Sequence, residues 1–310
     1  MRINKYYLAA FVAFVIWGFF SLALKPIHDY PSLDILFYRV FFSVVLISAI
    51  NLVIRRNVLL KDWKNYKSKS KSDRNKIIRV NVGGGLLLTA NWFIFIYVMN
   101  HISVKAASFA YLVCPILTTV LAFIILKEKL SKWQWTAVGI SVLGCTLLSF
   151  NSFADIFYSL IVALTYAFYL ISQRKNTEVD KFVGLNIQIL TPGLILLPFF
   201  PAFSGPVPTE SLFYICLAFI VILFTIIPLF LNLFALKGVN SSTVGIMLYI
   251  NPLINFVLAV FYYKEAVNEI QLISYSLILI SIIVFNEKLI FNRKLNNQKV
   301  TEPHEENISR

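Results

Sequence analysis

Apolar residues in this 310-residue chain neither alternate nor return every third or fourth position. They continue for about twenty residues at a time, with short polar stretches between. Ten runs stand out: Tyr6–Leu24, Leu33–Ile54, Ile77–Met99, Ala106–Leu126, Trp133–Phe150, Ile156–Ser172, Phe182–Phe200, Leu212–Leu236, Val244–Tyr263 and Ile270–Phe285. A helix that crosses a hydrocarbon layer of about 30 Å needs about 20 mostly apolar residues, so each run predicts a spanning helix. A membrane barrel would show short alternating segments instead. The pattern therefore predicts an all-α integral membrane protein of ten transmembrane helices. The longest polar stretch, Arg55 to Lys76, is rich in lysine and serine and reads as a loop with too few apolar residues to fold alone.

Composition agrees, with 58% hydrophobic and 14% charged residues against roughly half and a quarter in soluble domains. A net charge of +13 would suggest nucleic acid in a soluble chain. Here the basic residues sit between the runs, and no nucleic-acid partner is expected. With a cytoplasmic N-terminus, 24 of the 28 lysines and arginines fall in inside segments. Lys25, Lys105 and Lys264 remain outside and Arg39 lies within a run. That asymmetry predicts a multi-pass protein of the cytoplasmic membrane with both termini cytoplasmic. The first run is longer than a secretory signal core and carries Trp17 in its interior, so it is read as a span although Ser21 and Ala23 loosely fit a cleavage site.

A 137-residue shift lays the fourth run on the ninth. Pro115–Glu128 (PILTTVLAFIILKE) meets Pro252–Glu265 (PLINFVLAVFYYKE), with six of fourteen positions identical. Apolar composition would supply the valines, leucines and alanines, but not the proline and the Lys-Glu pair at a common spacing. A weaker match pairs Trp17 with Tyr166 and Lys25 with Arg174 at a slightly different offset. Five crossings separate the fourth and ninth spans, so the repeated units run in opposite directions. Inverted halves are the architecture of many secondary transporters.

These residues resemble the drug/metabolite transporter superfamily with its EamA-type five-helix repeat, and within it the RarD-like branch. The resemblance rests on VIWG followed by Lys25, DILFYR (Asp34–Arg39), NWFIFIYVMN (Asn91–Asn100), AASFAYLVCPIL, LKEKLSKWQWTAV and AFYLISQRK (Ala167–Lys175), in that order over nearly the whole chain. It implies ten helices in two halves, 1–151 and 152–290, a cytoplasmic polar tail 291–310, and a central cavity between the halves. Where the branch often has Asn-Pro in span four this chain has Cys114-Pro115, while Asn251-Pro252 keeps the pair in span nine.

Several residues within the runs are candidates for contact with substrate. Arg39 lies about six residues into span two, some 9 Å along the axis, where a charge faces either a wet cavity or a partner, or snorkels outward. Asp34 is on the wrong face of that helix to pair with it. Pro115 and Pro252 each remove a helical hydrogen bond, leaving the carbonyls of Tyr111 and Leu248, and matched breaks in two halves point to a transporter's site. A static kink is the alternative. The amides Asn91, Gln188, Asn232, Asn251 and Asn255 can meet substrate or bond between helices. Trp17, Trp92, Tyr111, Tyr166 and Tyr249 can line a cavity or pack. Gly83, Gly84 and Gly85 read as a close helix approach, since no Lys-Ser or Lys-Thr follows.

The expected function is a secondary carrier that exports or exchanges a small organic solute by alternating access, with membrane lipid around it. Protons or another coupling ion, and a homodimeric assembly, stay open. No cofactor is expected. A membrane-embedded enzyme is the first rival, but the chain has no HExxH and no paired intramembrane aspartates, and His28, His101 and His304 lie outside the spans. A receptor or scaffold is the second, and would not need mirrored proline-broken spans. Cys114, Cys145 and Cys216 have no paired spacing for a metal.

Overall fold

The computed structural model describes residues 4–101, 104–148, 153–262, 264 and 268–287. The expected tail 291–310 and Glu265 lie outside these. The described parts of the ten apolar runs are helical except at the turn residues Phe19, Leu236, Leu248, Tyr249 and Tyr262. Helix α1 (Lys5–Gly18) continues through α2 (Phe20–Leu24), and α3 (Ser32–Ala49) through a wider π turn, Ile50–Ile54. After α4 (Arg56–Ser68) come α5 (Lys71–His101), α6 (Val104–Leu126), α7 (Lys132–Leu148), α8 (Phe153–Arg174) and α9 (Lys181–Leu196). The rest is a short α10 (Phe200–Phe203), α11 (Ser211–Val221), α12 (Ile227–Ala235), α13 (Ser241–Met247), α14 (Ile250–Phe261) and α15 (Glu269–Phe285). Among the described residues six helical stretches are long and apolar enough to cross a membrane: Lys5–Ile27, Ser32–Ile54, Lys71–Phe95, Lys181–Phe203, Ser211–Ala235 and Ser241–Leu258.

Packing crosses the midpoint of the chain. Helix α6 lies along α8 and α13, α1 against α12 and α14, α5 against α8 and α9, and α7 against α15. The core holds Phe14, Tyr169, Leu185, Ile189 and Phe213, all fully buried. Large apolar side chains such as Val45, Val53, Leu143, Phe219 and Ile283 stay exposed on the outside, as lipid-facing residues must.

Helix bounds recur along the chain. Helices α7 and α15 have 17 residues each, and both ends are offset by 137 (132 against 269, 148 against 285). The stretches Ser32–Ile54 and Lys181–Phe203 have 23 residues each at an offset of 149. The difference between the two offsets arises where the first half carries α4. At the ends of the aligned fourth and ninth runs, Lys127 and Lys264 are the positive-φ non-glycine residues of the described chain, each with φ of 56°. That left-handed backbone is costly for a side-chain-bearing residue, and it appears twice at matched positions.

Helix α4 departs from the expected loop. It lies on the turn between α8 and α9, where Arg55 bonds Asp180 at 2.9 Å, Lys69 bonds Glu178 at 2.7 Å, and the Asp180 N–H donates to Asp62 at 2.8 Å. Arg55 also sits 5.0 Å over the Phe182 ring. The helix is stable through these tertiary contacts rather than through its own propensity.

Candidate functional site

The site is built on a proline not singled out above. Pro228, in the first turn of α12, has no N–H to give the carbonyl of Phe224 four residues earlier, and the chain just before it widens into a π turn, Ile222–Ile226. The freed Phe224 carbonyl accepts the indole N–H of Trp17 at 2.9 Å. In the same turn Thr225 donates its hydroxyl to Ile220 O at 2.8 Å and accepts Nε of Arg39 at 2.8 Å. One irregular turn in the second half thus holds two predicted residues of the first.

The Arg39 guanidinium lies 5.1 Å over the Trp92 ring and 5.5 Å over the Phe20 ring, and Phe20 packs edge-on to Phe224 at 5.6 Å. Aromatic faces attract the cation without using its N–H groups. Its two terminal nitrogens have no hydrogen-bond partner among the described residues. Asp34 does not neutralise it, because both carboxylate oxygens accept the Gly205 N–H, at 3.1 and 3.2 Å. Tyr111 interacts electrostatically with Arg39. Tyr166 stands 6.4 Å edge-on to Trp17, its hydroxyl accepting Nδ2 of Asn232 at 3.0 Å. Arg39, Trp17, Trp92, Tyr111 and Tyr166 therefore surround one locus, joined by Phe20, Phe224, Thr225 and Asn232.

The other candidates lie elsewhere. Asn91 bonds Val162 O at 2.9 Å and Thr165 at 3.0 Å, tying α5 to α8. Gln188 belongs to a buried amide network with Gln173 (2.8 Å), Asn81 (3.3 Å) and the Tyr169 hydroxyl (2.9 Å), and Asn176 joins Asn81 at 2.9 Å. The buried Lys181 ammonium caps this network on the Asn176 carbonyl. Tyr249 is fully buried beside Ser141 and Cys145. Asn255 donates to Asn251 at 2.8 Å. The two prolines behave differently. Span nine breaks at Leu248 and Tyr249, ahead of Pro252, while α6 stays helical through Pro115, whose carbonyl accepts the Thr119 hydroxyl at 2.9 Å. A lateral groove of about 460 Å³ between α1, α14 and α15 is lined by Phe11, Phe19, Ile254, Leu279 and other apolar residues and contains none of the predicted site residues.

Of the expected glycine approach, Gly84 and Gly85 take part: a Cβ on Gly85 would fall 2.8 Å from the Gln188 carbonyl, which Pro192 leaves without a donor. Gly83 meets nothing within 4 Å.

A multi-pass helical bundle with a cation held among aromatic rings inside an apolar span is a membrane protein with a polar site in its interior. The EamA-like transporter family matches twice, over residues 4–150 and 154–286, and the chain belongs to it. It is similar to the uncharacterized transporter YojE of Bacillus subtilis (29% identity over 88% of this chain and 91% of YojE) and to RarD of Escherichia coli K12 (29% over 93% and 95%). The uncharacterized transporter PA0485 of Pseudomonas aeruginosa is 26% identical over 92% and 94%. A solved crystal structure at 15% identity shares the fold, with a TM-score of 0.70 over 93% of this chain and 97% of the other.

Proposed function

We propose that the chain is a secondary carrier of the cytoplasmic membrane that moves a small, carboxylate-bearing organic solute outward by alternating access. In this reading ten spans form two inverted five-helix halves, both termini are cytoplasmic, and Arg39 receives the carboxylate. The observation that carries it is the pair of terminal nitrogens of Arg39, inside an apolar span and without a hydrogen-bond partner among the described residues. A buried guanidinium without an acid is costly, and the edge left by the Thr225 bond suits a planar carboxylate taken in a bidentate manner. The recurring helix bounds and the paired left-handed lysines support the two-half arrangement. The amide network, at the end of the bundle where α8 finishes and α9 begins, would close the cytoplasmic mouth.

Comparing extracellular metabolites of cells lacking and overproducing the protein identifies the solute, and flux in liposomes then tests the carrier. Arg39→Gln should reach the membrane in normal amounts and lose transport, with Arg39→Lys restoring part of it. Wild-type flux in both variants removes Arg39 from the site. Turnover of a lipid or peptide by purified protein, without solute flux, would replace the carrier with an enzyme.

A further inference from the structure

The surroundings of Arg39 restrict the rest of the solute, given the carrier reading above. Charge comes first. Arg39 is one cation, and no carboxylate among the described residues forms an ion pair with it. Asp34, its nearest acid along the chain, makes no ion pair with it and accepts the Gly205 N–H instead. One bound carboxylate brings the locus to neutrality. A second negative charge would be left without a counter-charge in an apolar span, and a substrate ammonium would find no carboxylate to receive it.

Polar capacity comes next. The Trp17 N–H is given to Phe224 O, the Asn232 amide N–H to Tyr166, the Asn91 amide to α8, and the Gln188 amide to its own network. The carbonyl oxygen of Asn232 is sealed from water. What the locus still offers is two guanidinium nitrogens, the Trp92 indole N–H, the hydroxyls of Tyr111 and Tyr166, and aromatic surface from Trp17, Phe20, Trp92 and Phe224.

We infer that the solute is an aromatic or comparably apolar monocarboxylate, and not an amino acid, a dicarboxylate or a phosphate ester. The carboxylate meets the end edge of Arg39 and the apolar body lies among the rings, a division common in small-molecule sites, where a few polar groups orient a mostly apolar ligand.

The test uses purified full-length protein and radiolabelled phenylacetate, with unlabelled competitors of one size. Saturable binding is expected, displaced by benzoate and 2-naphthoate and at least tenfold less well by phenylalanine, phthalate and phenyl phosphate. Arg39→Gln should weaken binding at least tenfold. The competition series on the unaltered protein decides the matter even if that variant folds poorly. Displacement by phenylalanine or phenyl phosphate as strong as by benzoate overturns the inference, as does a wild-type protein that does not bind phenylacetate. Should the solute found by metabolite comparison be zwitterionic or dianionic and still need Arg39 for flux, the solute class is wrong and the carrier reading stands. If flux of that solute is indifferent to Arg39, the solute inference falls and Arg39 leaves the site, while the flux itself keeps the carrier.

Discussion

Glu128 is a first-half residue that holds the start of a second-half helix, and its removal has a calculable cost. Its carboxylate accepts the backbone N–H of Ser241 at 2.8 Å and of Ser242 at 3.0 Å, together with the Ser242 hydroxyl. These are first-turn donors of α13, which lack intrahelical partners. The carboxylate is aimed by the left-handed Lys127 before it, and the Glu128 N–H closes α6 on Ala122 O at 3.2 Å. A hydrogen bond to a charged acceptor contributes about 1.5–3 kcal/mol, and loss of a helix cap costs about 1 kcal/mol. Because Glu128 is partly exposed, water recovers some of this, and Glu128→Ala should cost about 2–3 kcal/mol. At about 2–4 °C per kcal/mol this lowers the melting temperature by roughly 4–12 °C. Glu128→Gln keeps one acceptor and loses the charge, so it should fall about midway. The assay is thermal unfolding in detergent followed by tryptophan fluorescence, run as a cycle with Ser242→Ala, where a coupling above about 0.5 kcal/mol is expected. If Glu128→Ala melts with the wild type, or Ser242→Ala costs as much without Glu128 as with it, the reasoning fails.

Gly245→Ala should destabilise by about 1–3 kcal/mol, because the new Cβ would fall 2.9 Å from Cβ of Thr118, whereas Gly139→Ala, with nothing within 4 Å, should melt no lower than wild type. Gln188→Leu leaves Gln173, Asn81 and Tyr169 short of partners and should cost about 2–4 kcal/mol in the same assay. Burial pushes the Asp180 carboxyl up, but the Arg55 bond and the N–H groups of Phe182 and Val183 outweigh it and hold the pKa below the ordinary 3.8. A depressed acid stabilises above its unfolded value, so α4 should stay docked at neutral pH and loosen only below about pH 4, read as faster amide exchange in 56–68. A cysteine replacing the exposed Ser68 should resist an impermeant thiol reagent in intact cells while one replacing the exposed Asp29 reacts, and the opposite result would invert the topology.

The helices were legible because apolar runs of spanning length leave little choice of structure, and Arg39 was legible because a charge inside such a run always needs a reason. Its partners were not. Arg39 and Thr225 are 186 positions apart, and Trp17 and Phe224 are 207 apart, so no local pattern links them. Pro228 was the available signal: a proline inside the most apolar run marks a carbonyl in need of a donor, by the same argument applied to Pro115 and Pro252. Those two shared one sequence feature and gave two structures, since the neighbouring helices decide whether a proline bends a helix or interrupts it. Helix α4 was read as a loop because its stability comes from the α8–α9 turn, and the amide network around Gln188 was hidden because each of its members is unremarkable alone.

Helix α4 also bears on how evenly a carrier of the proposed kind would work. Two interchangeable halves would have mirror-related states of equal free energy, and the solute would meet the same apparent affinity from either side. Here one half carries a helix that the other lacks, clipped to the α8–α9 turn by Arg55, Asp62 and Lys69. In a carrier of that kind these contacts would lower the energy of the state in which that mouth is shut and leave its mirror image unaided. A passive bias of this sort cannot drive net flux, but it makes the two half-saturation concentrations unequal, and loosening the clip should bring them together.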